Sequence, residues 1–165
     1  MQSINTVLLI MHRCNMKSLK IFLTIGLALS NIPAHAEKAT DITVYRSPTC
    51  SCCGKWIEHL KQNNFTIKDV PTEDMQAIKH KYGVSDNMAS CHTAVVNGYV
   101  VEGHVPADDI KTLLKIKPKV VGIAVPQMPS GTPGMEMGDR KDAYNVMSFD
   151  KENHYEIFHS YEGTQ

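Results

Sequence analysis

Hydrophobic and polar positions alternate along the chain in a pattern that predicts a β-α-β-α-β-β-α order after a polar lead-in at 37–41. Ile42 to Arg46 is β-branched and aromatic, which reads as a strand. From Cys50 to Asn63 the apolar period lengthens. Cys53, Trp56, Ile57 and Leu60 fall on one helical face, with Lys55, Glu58 and Lys61 opposite. Phe65 to Val70 alternates again as a second strand. Pro71-Thr72 turns the chain, and Thr72 is a suitable N-cap for a helix over Glu73 to Tyr82 that stops at Gly83. Ser85 to Ser90 reads as a short turn or helix. Thr93 to Val96 and Tyr99 to Glu102 are apolar runs joined by Asn97-Gly98, the dipeptide favoured in tight hairpins. Pro106 opens a third helix, with Asp108 and Asp109 near its positive end and Pro118 as its stop. The first two strands need a helical crossover and are therefore parallel, whereas the hairpin strands are antiparallel. This α/β order, with cysteines between the first strand and first helix, predicts a thioredoxin-like core. Val120 to Val125 is a further apolar run. Pro126 to Gly138 is a Pro/Gly-rich loop with three methionines. Ala143 to Phe149 and Tyr155 to Tyr161 read as an appended C-terminal β-hairpin.

The long apolar run Ile21 to Leu29 follows Lys17 and Lys20 and precedes Ala34-His35-Ala36. That sequence of basic, apolar and small residues is the pattern of a cleaved export signal. The run is too short for a bilayer span, which needs about 20 residues. Residues 1–36 are therefore expected to be a signal peptide, with Met16 an alternative start to Met1, and residues 37–165 a single domain. The whole chain balances 17 basic against 17 acidic residues. Loss of Arg13, Lys17 and Lys20 leaves 14 against 17, so the mature domain is mildly acidic. That balance argues against a nucleic-acid partner, and cleavage leaves no stable membrane anchor. Cys14 departs with the signal, leaving four cysteines.

Those four are not spaced as two ordinary disulfides. Cys50, Cys52 and Cys53 put three thiols in four residues at a helix start. There, unpaired backbone N–H groups and the helix dipole favour thiolate. Cys50 and Cys53 also have C-x-x-C redox spacing. Cys91-His92 precedes the third strand, which in this topology begins opposite the cysteine helix. Redox enzymes of that fold keep a cis-proline here. Ser90-Cys91-His92-Thr93 instead supplies a fourth sulfur and an imidazole. Soft Cu(I) suits thiolate and thioether donors, and four bridging thiolates would neutralise several such ions in a multinuclear cluster. Met128, Met135 and Met137 offer thioethers, or simply pack. His104, which follows the fourth strand, is a weaker candidate than these. His59 and His80 read as solvated, and His154 and His159 as surface residues.

Three segments, VYRSPTCSCCGKWIEHL, ASCHTAVVNGYVVEGHVPADDI and VGIAVPQMPSGTPGMEMG, resemble the CopG-type copper-resistance proteins, a small exported metal-binding family. The resemblance runs from about Ile42 to Phe158 and holds the three motifs in order. It implies a thioredoxin-like fold, a periplasmic location and copper handling. By motif, Cys50, Cys52 and Cys53 match the C-x-C-C, Cys91 the S-C-H, and Met135 the G-M-E segment. The expected ligands are Cys50, Cys52, Cys53 and Cys91, with His92 and Met135 behind them. The expected function is to sequester or transfer Cu(I), alongside other periplasmic copper-handling proteins. The alternative is a thiol–disulfide or copper oxidoreductase using Cys50 and Cys53. A purely structural disulfide module is the third reading.

Overall fold

The computed structural model describes residues 38–164; the expected signal segment lies outside the described residues. A single mixed sheet of seven strands runs β2-β1-β3-β4-β5-β6-β7. The strands are β1 (Thr40–Arg46), β2 (Phe65–Pro71), β3 (His92–Val96), β4 (Tyr99–Glu102), β5 (Gly122–Ala124), β6 (Tyr144–Phe149) and β7 (Tyr155–Tyr161). Three helices, α1 (Ser51–Gln62), α2 (Met75–Lys81) and α3 (Ala107–Ile116), connect them. The expected β-α-β-α-β-β-α order is present. As crossover chemistry requires, β1 and β2 are parallel. β3 and β4 are antiparallel across Asn97-Gly98, whose φ angles of 46° and 86° are those of a tight hairpin turn.

Adjacent residues of β4 report the two faces of the sheet. Val101 belongs to the larger core with Trp56, Ile57 and Leu60 of α1 and Ile110 and Leu113 of α3. Val100 faces the other way, into a smaller cluster with Val84, Met88, Ala124 and Phe149. Complete burial of a side chain such as Leu60 contributes about 1.5–3 kcal/mol, so the helical stripe read from the sequence is what anchors α1.

One element differs from the sequence expectation. α2 begins at Met75 rather than Glu73, because Asp74 takes the cap: its carboxylate accepts the Ala77 N–H at 2.9 Å. Thr72 accepts the Asp74 N–H instead, so it shapes the entry to the helix. The C-terminal hairpin is appended as expected, but by a route that the sequence pattern does not mark. The 120–125 run forms β5, which pairs parallel with β4 and antiparallel with β6, so β6 and β7 extend the same sheet. Gly122 permits this, since a Cβ there would run into the Val100 carbonyl. Among the described residues no helix is long and apolar enough to cross a membrane.

Candidate metal centre

The centre forms where α1 begins and β3 begins. Cys50 is the N-cap of α1, in extended conformation, and its N–H donates to the Ser47 carbonyl at 3.2 Å. The next turn carries Cys52, half-buried, and Cys53, fully buried on the same face as Trp56 and Leu60. Cys50 and Cys53 are joined as a disulfide with their Cα atoms 5.4 Å apart. Cys52 is free, with its Sγ 3.5 Å from that of Cys50. Cys91, also free, enters from the residue before β3. The sulfurs of Cys50, Cys52, Cys53 and Cys91 all lie within 4.8 Å of one another. Residues 38 positions apart in sequence thus meet because β3 pairs with β1, the strand that leads into the cysteine turn.

Two histidines back Cys91. Its Sγ is 3.0 Å from His104 Nε2 and 3.3 Å from His92 Nδ1, and these donors form a second group within 4.8 Å. His104 Nδ1 lies 2.8 Å from the Pro133 carbonyl, which can only accept, so Nδ1 carries the proton and Nε2 presents its lone pair to Cys91. Metal-bound imidazoles are commonly oriented by such a carbonyl. His92 is fully buried between Trp56, at 4.2 Å between ring centroids, and His104, at 5.0 Å. Among the described residues its Nε2 has no hydrogen-bond partner. Trp56 is fixed in turn by its indole N–H, which donates to the Val105 carbonyl at 2.8 Å.

The methionine loop covers the first turn of α1. Gly134 has φ +87°, and a Cβ there would lie 2.8 Å from Trp56 N and 3.0 Å from the Cys52 carbonyl. Only a glycine lets the backbone approach so closely. Met135 follows directly and is half-buried, while Met128 and Met137 are exposed, at 51% and 70%.

Burial dominates the electrostatics. It pushes the Cys91 thiol up to about 12, with neighbouring Cys52 adding to the effect. It also drives the His92 and His104 imidazoles below their ordinary range, with neighbouring His104 and Lys79 adding to the effect of burial at His92. Burial thus favours neutral imidazoles and a protonated Cys91 thiol at a centre whose Cys50, Cys52 and Cys91 remain half-exposed. A soft cation entering it displaces protons from sulfur, and the donor set of thiols and neutral imidazole suits Cu(I) far better than a hard ion.

The four cysteines converge, and His92 and His104 each adjoin them through Cys91. Met135 is placed beside the cysteine turn by Gly134. His59, expected to be solvated, is instead half-buried, and its Nε2 accepts the Ala107 N–H at 3.1 Å. It thereby caps α3, whose own N-cap, Pro106, has no side-chain acceptor. His159 is 52% exposed at its side chain but tied by Nδ1 to Asp109 at 2.7 Å. Sequence reading missed a buried polar network beneath the centre, formed by Lys79, Ser90, Thr93 and Glu102. Its one sequence signal is a glutamate ending the apolar strand Tyr-Val-Val-Glu.

Comparison with known proteins agrees with this chemistry. Residues 88–135 match a family model described as a protein of unknown function, DUF411. No curated protein matches the chain. Two solved structures do. "Copper resistance protein copG- Form 1" is 46% identical, with 76% of this chain and 100% of that one covered and a TM-score of 0.73. "Copper resistance protein copG- Form 2" is 45% identical, with 75% and 99% covered and a TM-score of 0.72. At that identity and coverage, with the cysteine cluster in place, the chain belongs to the CopG-type family of copper-resistance proteins.

Proposed function

We propose that this protein is a periplasmic copper-binding protein that takes up Cu(I) as cargo through Cys50, Cys52, Cys53 and Cys91 and sequesters or transfers it during copper stress. The observation that carries the reading is the convergence of four sulfurs from two separate segments within 4.8 Å. His104 is added to the expected ligands, because its Nε2 lone pair faces Cys91. His92 and Met135 stand behind these donors. Four thiolates in so small a volume bridge ions more readily than they surround one, which favours a multinuclear cluster. Export rests on the signal pattern ending at Ala36, and the intact mass of the periplasmic form should correspond to a chain starting at Glu37. Recovery only from the cytosol with residues 1–36 attached contradicts it.

The test is anaerobic titration of the reduced mature chain with Cu(I), followed by metal analysis. Retention of copper against a competing chelator is expected, and absence of retained copper refutes the reading.

One observation favours a second reading, a copper oxidoreductase. Cys50 and Cys53 form a disulfide. Oxidation of that dithiol releases two electrons and two protons, which matches reduction of two Cu(II) ions to Cu(I). In this reading Cys50 and Cys53 cycle, whereas Cys52 and Cys91 stay reduced. Stoichiometric formation of Cu(I) and disulfide from Cu(II) and reduced protein supports it. The binding function itself predicts no such turnover.

A further inference from the structure

Glu102 ends β4 with no solvent exposure, after three residues of an apolar strand. A buried carboxylate is costly unless fully bonded, and this one is. Lys79 Nζ, itself buried on α2, forms an ion pair with Oε1. The Ser90 N–H donates to the same oxygen at 2.7 Å, and Thr93 Oγ1 donates to Oε2 at 2.6 Å. Lys79 Nζ also donates to Thr93 Oγ1 at 3.2 Å.

The donors are placed on either side of the metal centre's second strand of contact. Ser90 and Thr93 bracket Cys91-His92, so the carboxylate grips the cysteine segment at both ends. On its own side, Glu102 leads into Gly103, whose N–H donates to the His92 carbonyl at 2.9 Å and whose φ of +73° turns the chain to His104. A Cβ at Gly103 would stand 2.5 Å from Ser90 Oγ, so the two segments touch here. Ser90 Oγ also donates to the Gln127 carbonyl, which fastens the start of the methionine loop. Glu102 therefore ties the Cys91 segment to the strand that leads to His104, and Ser90 carries that tie on to the loop.

An ion pair kept for stability alone has no need of these partners, since apolar residues of similar volume often replace buried pairs at no cost. What an apolar pair cannot do is accept the Ser90 N–H and the Thr93 hydroxyl.

We propose that Glu102, supported by Lys79, is a positioning residue of the metal centre, holding Cys91 Sγ and His104 Nε2 in a fixed relation before a thiophilic cation arrives. This rests on the copper-binding reading above. A preorganised donor pair loses less ordering entropy on binding, and supporting hydrogen bonds typically change metal affinity about 10- to 100-fold.

Two double variants separate positioning from charge and from bulk stability. K79M/E102Q removes both charges but keeps an amide that accepts the Ser90 N–H and bonds Thr93. K79M/E102L keeps volume and removes those bonds. Two readouts are taken on reduced protein whose fold is verified by circular dichroism: the alkylation rate of Cys91 in the metal-free chain, and Cu(I) retention against a chelator. The Leu variant should alkylate Cys91 about tenfold faster and hold Cu(I) about tenfold less tightly, whereas the Gln variant stays within about twofold of the unaltered chain. A folded Leu variant that matches the unaltered chain overturns the proposal, as does a Gln variant impaired as much as the Leu variant. Should the Leu variant not fold, T93V removes one of the bonds and leaves the pair. It should shift both readouts about threefold in the same direction, and unchanged values overturn the proposal. Failure of the unaltered chain to bind Cu(I) defeats the functional reading alone, because Cys91 alkylation still decides the positioning claim.

Discussion

Two histidines, one following the central strand β4 and one on the edge strand β7, show how surroundings assign a role to the same side chain. His104 sits at the thiol pole, buried, with Nδ1 bonded to a neutral carbonyl and Nε2 facing a sulfur. His159 sits on β7, half exposed, with Nδ1 bonded to the buried carboxylate of Asp109. Tyr161 donates to the other oxygen of Asp109 at 2.7 Å and stacks on Tyr144 at 4.7 Å. The carboxylate thus gathers β7 onto the first turn of α3, and His159 serves as a tie. At the thiol pole no carboxylate hydrogen-bonds to either imidazole among the described residues, and the open donors point inward. Soft donors facing one another make a candidate metal site, whereas a hard acceptor between two elements makes a clasp.

The contrast breaks first at Cys91. Cys91→Ser should lower Cu(I) affinity by about 100-fold or more and reduce copper per chain, read by chelator competition, with thermal stability little changed. Unchanged stoichiometry and affinity would remove Cys91 from the site. The Asp109 clasp should respond in the opposite way. Asp109→Ala leaves two donors unpaired and should cost about 2 kcal/mol in urea unfolding, yet leave Cu(I) per chain unaltered. Copper loss in that variant would mean that the clasp and the thiol centre are coupled. His104→Phe keeps a ring and removes the nitrogen; about a tenfold loss of Cu(I) affinity is expected, while His159→Phe should leave that affinity unchanged.

A smaller effect concerns pH. His59, His92 and His104 all have folded values below the ordinary 6.5, each chiefly through burial. Below that pH the unfolded chain takes up protons that the folded chain refuses. Stability is therefore fully present above pH ~6.5 and declines as pH falls below it. Urea midpoints between pH 7.5 and 5 check the sign, and His59→Phe should flatten part of the decline. The smallest effect is assigned to the loop. Replacing Met135 and Met137 with Leu should leave copper stoichiometry alone and slow transfer of Cu(I) to an acceptor; equal rates would make these residues packing only.

What the sequence showed of the fold and the centre follows from how local each signal is. Three thiols in one helical turn are visible because they need no tertiary partner, and Cys91 is visible because strand order brings β3 beside β1. The Asn97-Gly98 hairpin carries its own turn chemistry. By contrast, Thr72 and Asp74 are both good caps, and only the hydrogen bond to Ala77 chooses between them. The union of the C-terminal hairpin with the main sheet depends on β5, three residues long, which no periodicity marks. Lys79 looks like a solvated helix cation until Glu102 is brought beneath it from 23 positions away. His59 likewise gains its role only when α3 starts next to it.

The central claim, that four thiols act together on Cu(I), is tested most directly by differential alkylation. Reduced protein spanning residues 37–165 is labelled with and without Cu(I) under anaerobic conditions, and each cysteine is read separately by peptide mass spectrometry. The account predicts that Cys50, Cys52, Cys53 and Cys91 are all shielded by copper and regain reactivity together when a chelator removes it. Labelling at all four that is indifferent to Cu(I) would contradict it.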